Sequence, residues 1–287
     1  MTELRVTGSS AAALGDVAAL LAEVFPQAPR LDSAWLEWGY LGNPLGPTIG
    51  FDAHADGRVV AHVAGRILSA RVGQGGAPVR GVLVHQAATL AAFRRRGLLV
   101  QLVEALLARA AAEGAVFATA VVNRNSVDAF VRRLGFTALR PLSVRVGIGS
   151  LPRRNPAQSP PLDFEPVHAP EWLAWRLAPP GLPYRERRLG ENREIWADSG
   201  LLGIPVLIGE VPVSAIAAPM PAFTSRSPFR AWAGLDAARP FRALQHPDLP
   251  LALRPSPLHL IFRALDANVA LPRADRVRFD ALDFDAW

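Results

Sequence analysis

The sequence predicts an α+β fold in two domains, and three features support this prediction. Two stretches, 10–24 and 97–113, show helical periodicity, and compact apolar runs typical of strands lie between and after them. A Pro-, Arg- and Asn-rich stretch at 151–161 then interrupts the pattern. Because 287 residues suffice for two domains of ordinary size, we place them at 1–150 and 162–287.

The first elements are two helices followed by three strands. The helix over 10–24 begins behind a Ser-Ser pair, and a short helix over 34–41 ends at Gly42-Asn43-Pro44. Strands are predicted at 48–54, 59–71 and 79–89. Asp56-Gly57 is a favourable two-residue turn, so the first two strands are expected to form a hairpin.

The second part of this domain alternates helix and strand. The helix over 97–113 ends at Gly114, which is typical of a helix C-terminus. A buried strand over 116–122, a short helix over 126–134 and a strand over 142–148 follow. Asn125 or Ser126 is expected to cap the short helix.

The second domain repeats one short sequence motif of the first. Trp35-Leu36-Glu37-Trp38 recurs as Trp172-Leu173-Ala174-Trp175, and each copy precedes a proline-bearing turn. Such a repeat indicates a duplicated domain, although tryptophan pairs at helical spacing also serve simply as packing residues.

Composition narrows the function classes. The formal net charge is +6 and every basic residue is arginine, but the arginines are dispersed, so nucleic acid is not an expected partner. No apolar run reaches the roughly 20 residues of a membrane span and the N-terminus lacks a signal peptide, which predicts a soluble cytoplasmic protein without a membrane partner. Without cysteine there is no disulfide, thiolate site or Cys nucleophile, and the six scattered histidines do not predict a metal site.

A basic turn between strand and helix is the most informative motif. The strand ending at Thr89 leads to Arg94-Arg95-Arg96, then to Gly97 and a helix. A helix N-terminus presents free backbone N–H groups and the positive end of the helix dipole, and glycine lets a ligand approach the backbone. The motif therefore predicts a phosphate or pyrophosphate site near residues 94–99.

Residues 4–148 resemble the GNAT superfamily of acyl-CoA-dependent N-acyltransferases in their order of elements and in two motifs. Arg94-Arg95-Arg96-Gly97-Leu98-Leu99 matches the family's Arg/Gln-x-x-Gly-x-Gly/Ala turn, with Leu99 departing from Gly or Ala. Asn123-Arg124-Asn125-Ser126 through Leu134-Gly135-Phe136 matches its Asn-rich turn, short helix and Leu-Gly-Phe. The resemblance implies a mixed, mainly antiparallel sheet flanked by helices, with a degenerate GNAT-like second domain.

The resemblance also implies acetyl-CoA as co-substrate. Its pantetheine arm would lie between strands that splay apart, and its pyrophosphate would bind the basic turn. The residues implied in binding are Thr89, Arg94, Arg95, Arg96, Gly97, Leu98, Leu99, Asn123, Asn125 and Ser126.

Acyl transfer to an amine requires a neutral amine and a polarised thioester carbonyl. His85 and Gln86 lie where the family places its base, and strand alternation predicts that at most one of them faces the cleft. His85 could serve as the base, or be an ordinary histidine at the edge of the core. His62 could reach the acceptor, or be a hydrogen-bonded strand histidine. Val131 occupies the position where many members have a tyrosine acid.

Two functions follow. The first is N-acetyl transfer from acetyl-CoA to a primary amine, on a small molecule or a protein, by direct attack. The alternative is a catalytically inactive CoA-binding module with a regulatory or structural role, which the missing tyrosine favours. The sequence identifies neither the acceptor nor the oligomeric state.

Overall fold

The computed structural model describes residues 4–28, 30–199, 203–216, 218–254 and 257–284, with the exception of the Gln158 side chain. The helices are α1 (Leu14–Val24), α2 (Ser33–Leu41), α3 (Leu98–Ala112), α4 (Arg124–Arg133) and α5 (Pro170–Arg176). The strands are β1 (Arg5–Gly8), β2 (Ile49–Ala55), β3 (Arg58–Val72), β4 (Val79–Thr89), β5 (Phe117–Val122), β6 (Thr137–Pro141), β7 (Ser143–Ile148), β8 (Phe164–Pro166), β9 (Arg185–Leu189), β10 (Asn192–Asp198), β11 (Pro205–Pro212), β12 (Phe229–Leu235), β13 (His259–Ala264) and β14 (Phe279–Asp280). Within these residues no helix has the length and apolarity to cross a bilayer.

The elements of the first half follow the sequence prediction closely. β4 has the predicted bounds, and the predicted hairpin turn is present because Asp56 and Gly57 both adopt positive φ, at 50° and 76°. Two elements differ. The helix 10–24 is a short 3₁₀ turn followed by α1, and α4 begins two residues before the predicted start. The short strands β1 and β6 were not predicted.

The first sheet has the order β1-β2-β3-β4-β5-β13-β6, and β8 pairs with the far end of β3. Among the described strands of this sheet, β4 and β5 are the one pair that runs parallel. α1 and α3 pack on one face and bury a core that includes Val17, Leu21, Leu102 and Leu106. This is the mixed, mainly antiparallel sheet flanked by helices that the sequence predicts.

The second sheet has the order β14-β12-β11-β10-β9, and β7 also pairs with β12. Strands therefore cross the predicted domain boundary in both directions. β13, from the second half, lies between β5 and β6, and β7, from the first half, joins the second sheet. The second half thus contributes β8 and β13 to the first sheet, and the first half contributes β7 to the second.

The two halves share a second hydrophobic core. It joins Phe117 and Phe262 of the first sheet, whose rings stack at 5.5 Å, to residues such as Ile195 and Ile208 of the second. Burial of apolar surface is the dominant stabilising term in folding, so this shared core stabilises the association of the two halves.

Two buried arginines hold the segment after β14. Arg176 donates Nε to the Leu282 carbonyl at 3.0 Å and Nη2 to the Phe284 carbonyl at 3.3 Å. Arg66 of β3 donates Nη2 to the Asp283 carbonyl at 3.1 Å, and the Asp283 carboxylate pairs with His168 at 2.7 Å. These bonds tie residues 282–284 to both halves.

Candidate functional site

The site is built around a gap between β4 and β5. The parallel pairing runs from Gly81–Phe117 to Val84–Ala120 and then stops, although β4 continues to Thr89 and β5 to Val122. Beyond Val84, β4 stays paired with β3 and β5 with β13. The two strands therefore diverge, and the edge of β4 after Val84 can hydrogen-bond an extended ligand in the manner of an added strand.

A β-bulge lies in β4 at the start of this gap. His62 pairs with Ala88 but Ala64 pairs with His85, so Gln86 and Ala87 together oppose Val63. Gln86 has a φ of 50°, in the left-handed region. A bulge re-aims side chains and recurs beside active sites.

The bulge corrects the alternation expected for His85 and Gln86. The His85 ring meets the Tyr40 ring edge-on, at 6.2 Å between centroids, and Gln86 Oε1 accepts a hydrogen bond from the Tyr40 hydroxyl at 2.6 Å. Both side chains therefore reach Tyr40. The expectation of opposite faces is wrong, because an extra residue with positive φ resets the strand's two-residue period.

A buried polar chain leads away from Gln86. The Tyr40 hydroxyl lies 2.7 Å from His62 Nε2, and His62 Nδ1 lies 2.6 Å from Asp52 Oδ1. Tyr40 is 4% exposed, and His62 and Asp52 are 1% exposed. α2 supplies the tyrosine, β3 the histidine and β2 the aspartate, so three elements converge on the bulge. His62 is the hydrogen-bonded strand histidine considered in the sequence analysis.

The basic turn has the geometry of an anion site. Arg94 is extended, Arg95 and Gly97 have positive φ of 62° and 79°, and α3 begins at Leu98 without a side-chain cap. Positive φ at these positions turns the chain sharply into the helix, whose first N–H groups have no intrahelical partner. All three arginines are exposed, and Arg94 Nε donates to the Thr89 carbonyl at 3.2 Å.

The basic turn brings most of the predicted cofactor residues together. Arg96 lies over the Phe93 ring at 5.0 Å, Leu98 is buried and Leu99 is half-buried. Thr89 ends β4 immediately before this turn.

The Asn-rich turn lies across the gap, after β5. Asn123 Oδ1 accepts from the backbone N–H of Asn125 at 3.0 Å and of Ser126 at 3.2 Å. Asn123 is therefore the N-cap of α4, and the expectation that Asn125 or Ser126 caps the helix is wrong. The extended backbone of Asn123 lets its side chain reach back over the first turn, which starts the helix at Arg124.

The tyrosine position of the family contributes no acid here. Val131 is 37% exposed, and the preceding Phe130 is 2% exposed and packs against Phe136. The chain has two tyrosines. The Tyr184 hydroxyl accepts a hydrogen bond from Arg176 Nη1 at 2.9 Å within the second core, so Tyr40 is the tyrosine beside the gap.

Sequence reasoning did not single out Tyr40 or Asp52. Positions 40, 52 and 62 share no motif spacing. A usable signal was the presence of Asp52 and His62 on the two arms of a hairpin that is otherwise mainly apolar.

Comparisons with known proteins agree with this architecture. Residues 16–136 match the family model described as acetyltransferase (GNAT) family. No curated protein matches the chain in sequence.

Solved structures resemble both halves together. A probable N-acyltransferase from Enterococcus faecalis V583, described as a conserved protein of unknown function, has 12% identity and a TM-score of 0.60, covering 94% of this chain and 74% of its own. A GCN5-related N-acetyltransferase from Kribbella flavida has 14% identity and a TM-score of 0.58, covering 93% and 72%. Another from Anabaena variabilis has 10% identity and a TM-score of 0.52, covering 92% and 73%. These structural similarities show that the chain shares the fold of these three proteins.

Proposed function

We propose, from the match of residues 16–136 to the GNAT acetyltransferase family, that the protein is an N-acetyltransferase. It moves an acetyl group from acetyl-CoA to a primary amine by direct attack, without a covalent enzyme intermediate. The acceptor is a small-molecule amine or a protein amine. We further propose that residues 1–150 provide the catalytic domain and that 162–287 are its degenerate relative.

The observation that carries the proposal is the alignment of the gap with the basic turn. The unpaired edge of β4 runs directly into a turn whose positive-φ residues lead to an uncapped helix N-terminus. An elongated ligand with a pyrophosphate at one end and an amide-bearing arm at the other is complementary to this sequence of features.

Each of the predicted cofactor residues has a proposed role in binding acetyl-CoA. Backbone N–H groups from Arg95 to Leu99 bind the pyrophosphate, and the exposed guanidinium groups of Arg94, Arg95 and Arg96 add charge. Thr89 borders the pantetheine arm on the β4 side. Asn123, Asn125 and Ser126 border it on the α4 side.

The chemistry follows from the direction of attack. The amine nitrogen forms a bond to the thioester carbonyl carbon, and the carbon–sulfur bond breaks to release CoA. His85, beside the gap, accepts the amine proton directly or through a water molecule. Because Val131 cannot donate a proton, the departing thiolate takes its proton from water.

A catalytically inactive CoA-binding module is the second candidate, and the side chain at position 131 favours it. The same turn and gap would bind CoA, but no tyrosine on α4 would protonate the thiolate. The two candidates agree on binding and differ on turnover.

Calorimetric titration with acetyl-CoA is the first test. We expect micromolar binding by the wild type and loss of binding in an Arg96→Glu, Gly97→Glu double variant. Arg226→Glu, at an exposed position in the second half, repeats a charge reversal away from the turn and should bind as the wild type does.

An amine screen that detects the free CoA thiol then separates the candidates. Amine-dependent thiol release would support the enzyme, whereas binding without release from any amine would support the inactive module. Failure of the wild type to bind acetyl-CoA would contradict both.

A further inference from the structure

The two sheets are built on the same plan. In the first, β2, β3 and β4 are antiparallel, β5 is parallel to β4, and β13 is antiparallel to β5. In the second, β9, β10 and β11 are antiparallel, β12 is parallel to β11, and β7 is antiparallel to β12. Strand order and directions therefore match, and in each sheet the fifth strand comes from the other half of the chain.

The match extends to a second gap, between β11 and β12. Their parallel pairing ends at Leu207–Trp232, although β11 runs on to Pro212 and β12 to Leu235. Beyond this point β11 stays paired with β10, and β12 stays paired with β7. The two strands therefore diverge in the same way as β4 and β5 do after Val84.

Two local features of the first gap recur at the second gap. β11 has a bulge immediately after the last parallel pair, because Trp196 lies opposite Leu207 but Ile195 lies opposite Gly209. β11 also leads into a 3₁₀ turn, Val213–Ala215, as β4 does. Agreement in strand order, bulge and turn indicates that the second gap corresponds to the first.

The second gap lacks the anion site of the first. After β4, the 3₁₀ turn is followed by the basic turn and α3, whereas the described residues between Ile216 and β12 form no helix. This part of the chain therefore offers no helix N-terminus at which a pyrophosphate could bind.

The 279–284 segment occupies the second gap. β14 pairs with the end of β12, where Asp280 lies opposite Gly234. Two residues later, the Leu282 N–H donates to the Ile208 carbonyl of β11 at 2.7 Å. The segment thus contacts both walls through its backbone, as an added strand does.

Each wall of the second gap has a glycine where the segment passes. A Cβ on Gly234 would lie 2.6 Å from the Phe279 carbonyl oxygen, and a Cβ on Gly209 would lie 3.0 Å from the Leu282 side chain. Every residue of the segment is at most 8% exposed. The second gap therefore fits this segment closely, and the segment excludes other ligands from it.

The position of the second gap explains why it needs an occupant. Ile208 is 0% and Val211 is 3% exposed, and both belong to the second core. Buried backbone groups without partners are costly, so diverging strands in this core require a third backbone between them. The first gap instead leads to the exposed basic turn, where solvent or a cofactor has access.

We infer that the second gap is a binding site for an extended peptide, and that its ligand is this chain's own 279–284 segment, held where the first gap would hold the cofactor arm. The second half therefore binds no acetyl-CoA, and each chain binds one molecule of it, at the first gap. The number of acetyl-CoA molecules rests on the proposed function, whereas the peptide site does not.

A nicked form of the full chain tests the peptide site. A protease recognition sequence is inserted between Ala267 and Asn268, both exposed, and the folded protein is cleaved there. Only noncovalent contacts then hold the fragment 268–287, and a fluorescent synthetic peptide of the same residues competes for its place. If the segment is a ligand, fluorescence polarisation will show exchange at urea concentrations at which circular dichroism shows that the rest of the protein stays folded.

Two substituted peptides give a matched comparison. Leu282→Asp places a carboxylate at a position that is 0% exposed, and it should weaken binding by roughly a hundredfold or more. Leu271→Asp makes the same change at a residue that is 51% exposed and lies outside the second gap, so it should bind as the wild-type peptide does.

Calorimetric titration of the uncleaved protein counts the acetyl-CoA sites. We expect one site in the wild type and none in the Arg96→Glu, Gly97→Glu double variant. A second site that persists in the double variant would overturn the inference, because it would show that the second half still binds the cofactor.

The exchange experiment has its own contrary outcomes. Exchange only at the rate of global unfolding would make the segment an inseparable part of the core, and equal binding by the two substituted peptides would place the contact outside the second gap. Either result would overturn the inference. If the wild type binds no acetyl-CoA but the peptides behave as expected, the proposed function fails and the peptide site stands.

Native-state hydrogen exchange of the intact chain covers the case in which cleavage unfolds the protein. Amides of the 279–284 segment should exchange through an opening that leaves the amides of β3 protected. Exchange of both sets in a single opening would overturn the inference.

Discussion

Trp38 and Trp175 each donate an indole N–H to the backbone carbonyl of the other, at 3.1 Å and 2.9 Å, and their rings stack at 4.9 Å. One residue belongs to α2 and the other to α5, the helices that carry the repeated Trp-Leu-x-Trp sequence. The contact is therefore symmetric in both sequence and hydrogen bonding. Such reciprocity is what two copies of one element produce when they face each other across a local two-fold axis.

The Trp38–Trp175 contact should stabilise the junction of the halves. We expect Trp38→Phe to lower the free energy of unfolding by about 1–2 kcal/mol, since the Trp175 carbonyl loses its donor. Chemical denaturation followed by circular dichroism measures the change. Trp172→Phe is the control, because the buried Trp172 indole N–H has no hydrogen-bond partner among the described residues. A cost for Trp172→Phe equal to or above that of Trp38→Phe would contradict this account.

Gly97 should matter to cofactor binding beyond its effect on stability. It has a φ of 79° at the start of α3, and Gly114 has a φ of 85° just beyond its end. A Cβ at either position would meet no atom within 4 Å, so alanine costs only backbone strain, about 1–2 kcal/mol at each.

Only Gly97→Ala should also weaken acetyl-CoA binding, by about tenfold, through loss of one charge-assisted hydrogen bond to phosphate. Melting temperatures and calorimetric Kd values for Gly97→Ala and Gly114→Ala separate the two effects. Equal Kd values in the two variants would mean that the pyrophosphate does not approach Gly97.

Stability should fall with rising pH because of Asp280. Burial, together with the nearby Asp283 carboxylate, raises the pKa of Asp280 to about 7, against the opposing effects of Arg278 and His168. The folded protein therefore holds a proton that the unfolded chain releases near pH 4, so stability decreases between about pH 4 and pH 7. Asp280→Asn should remove this decrease, by an amount on the order of a few kcal/mol at pH 8.

Urea unfolding at a series of pH values measures the Asp280 effect. Asparagine keeps an oxygen that can accept the Leu282 N–H, which Asp280 Oδ1 binds at 3.1 Å. Asp128→Asn, on the exposed face of α4, should keep the wild-type pH dependence. A parallel pH dependence in Asp280→Asn and wild type would disprove the assignment.

Asp163 should have the opposite effect to Asp280: it should make the stability of the folded protein fall as the pH is lowered into the acid range. A hydrogen bond from Arg273, with Nε at 2.7 Å, holds the pKa of the Asp163 carboxyl well below its usual range. Its contribution to stability is therefore complete above about pH 4 and is lost as the pH falls further. Asp163→Asn should destabilise the protein at neutral pH and progressively less in acid. The pH-dependent difference should vanish in an Arg273→Ala background; its persistence there would point to another partner.

The strongly patterned parts of the site could be predicted from the sequence. Thr89, the three arginines and Gly97 mark the end of the strand, the turn and the start of the helix in the sequence itself. The geometry of the basic turn follows from local backbone preferences. β4 likewise has the predicted bounds, because an apolar run between turn residues defines both of its ends.

The polar chain could not be predicted, because two bulges determine it. The Asp56-Gly57 turn sets Ala55 opposite Arg58, and an unbroken ladder from there would place Asp52 opposite Ala61. A register shift after Ala53 moves Asp52 opposite His62 instead. The second bulge, at Gln86, then brings β4 to the same point. Neither bulge is marked by a characteristic residue in the sequence. At the second one, the positive-φ position is occupied by Gln86 and not by the glycine that would indicate a bulge.

The predicted division into 1–150 and 162–287 stays a prediction, and the strand exchange shows why sequence alone gives little help with it. A Pro-rich connection marks where the chain leaves regular structure, but strand partners are chosen by packing over long sequence separations. β5 ends at Val122 and its partner β13 begins at His259, so no local pattern links them.

This exchange has a consequence for synthesis of the protein in the cell. Until His259–Ala264 has emerged from the ribosome, β5 and β6 have no strand between them, and their edges are exposed to other nascent chains. Ribosomes add roughly 5–20 residues per second, so the edge of β5 waits several seconds for its partner. We therefore expect that expression of the first half alone yields insoluble material, because its β5 and β6 edges never receive their partner.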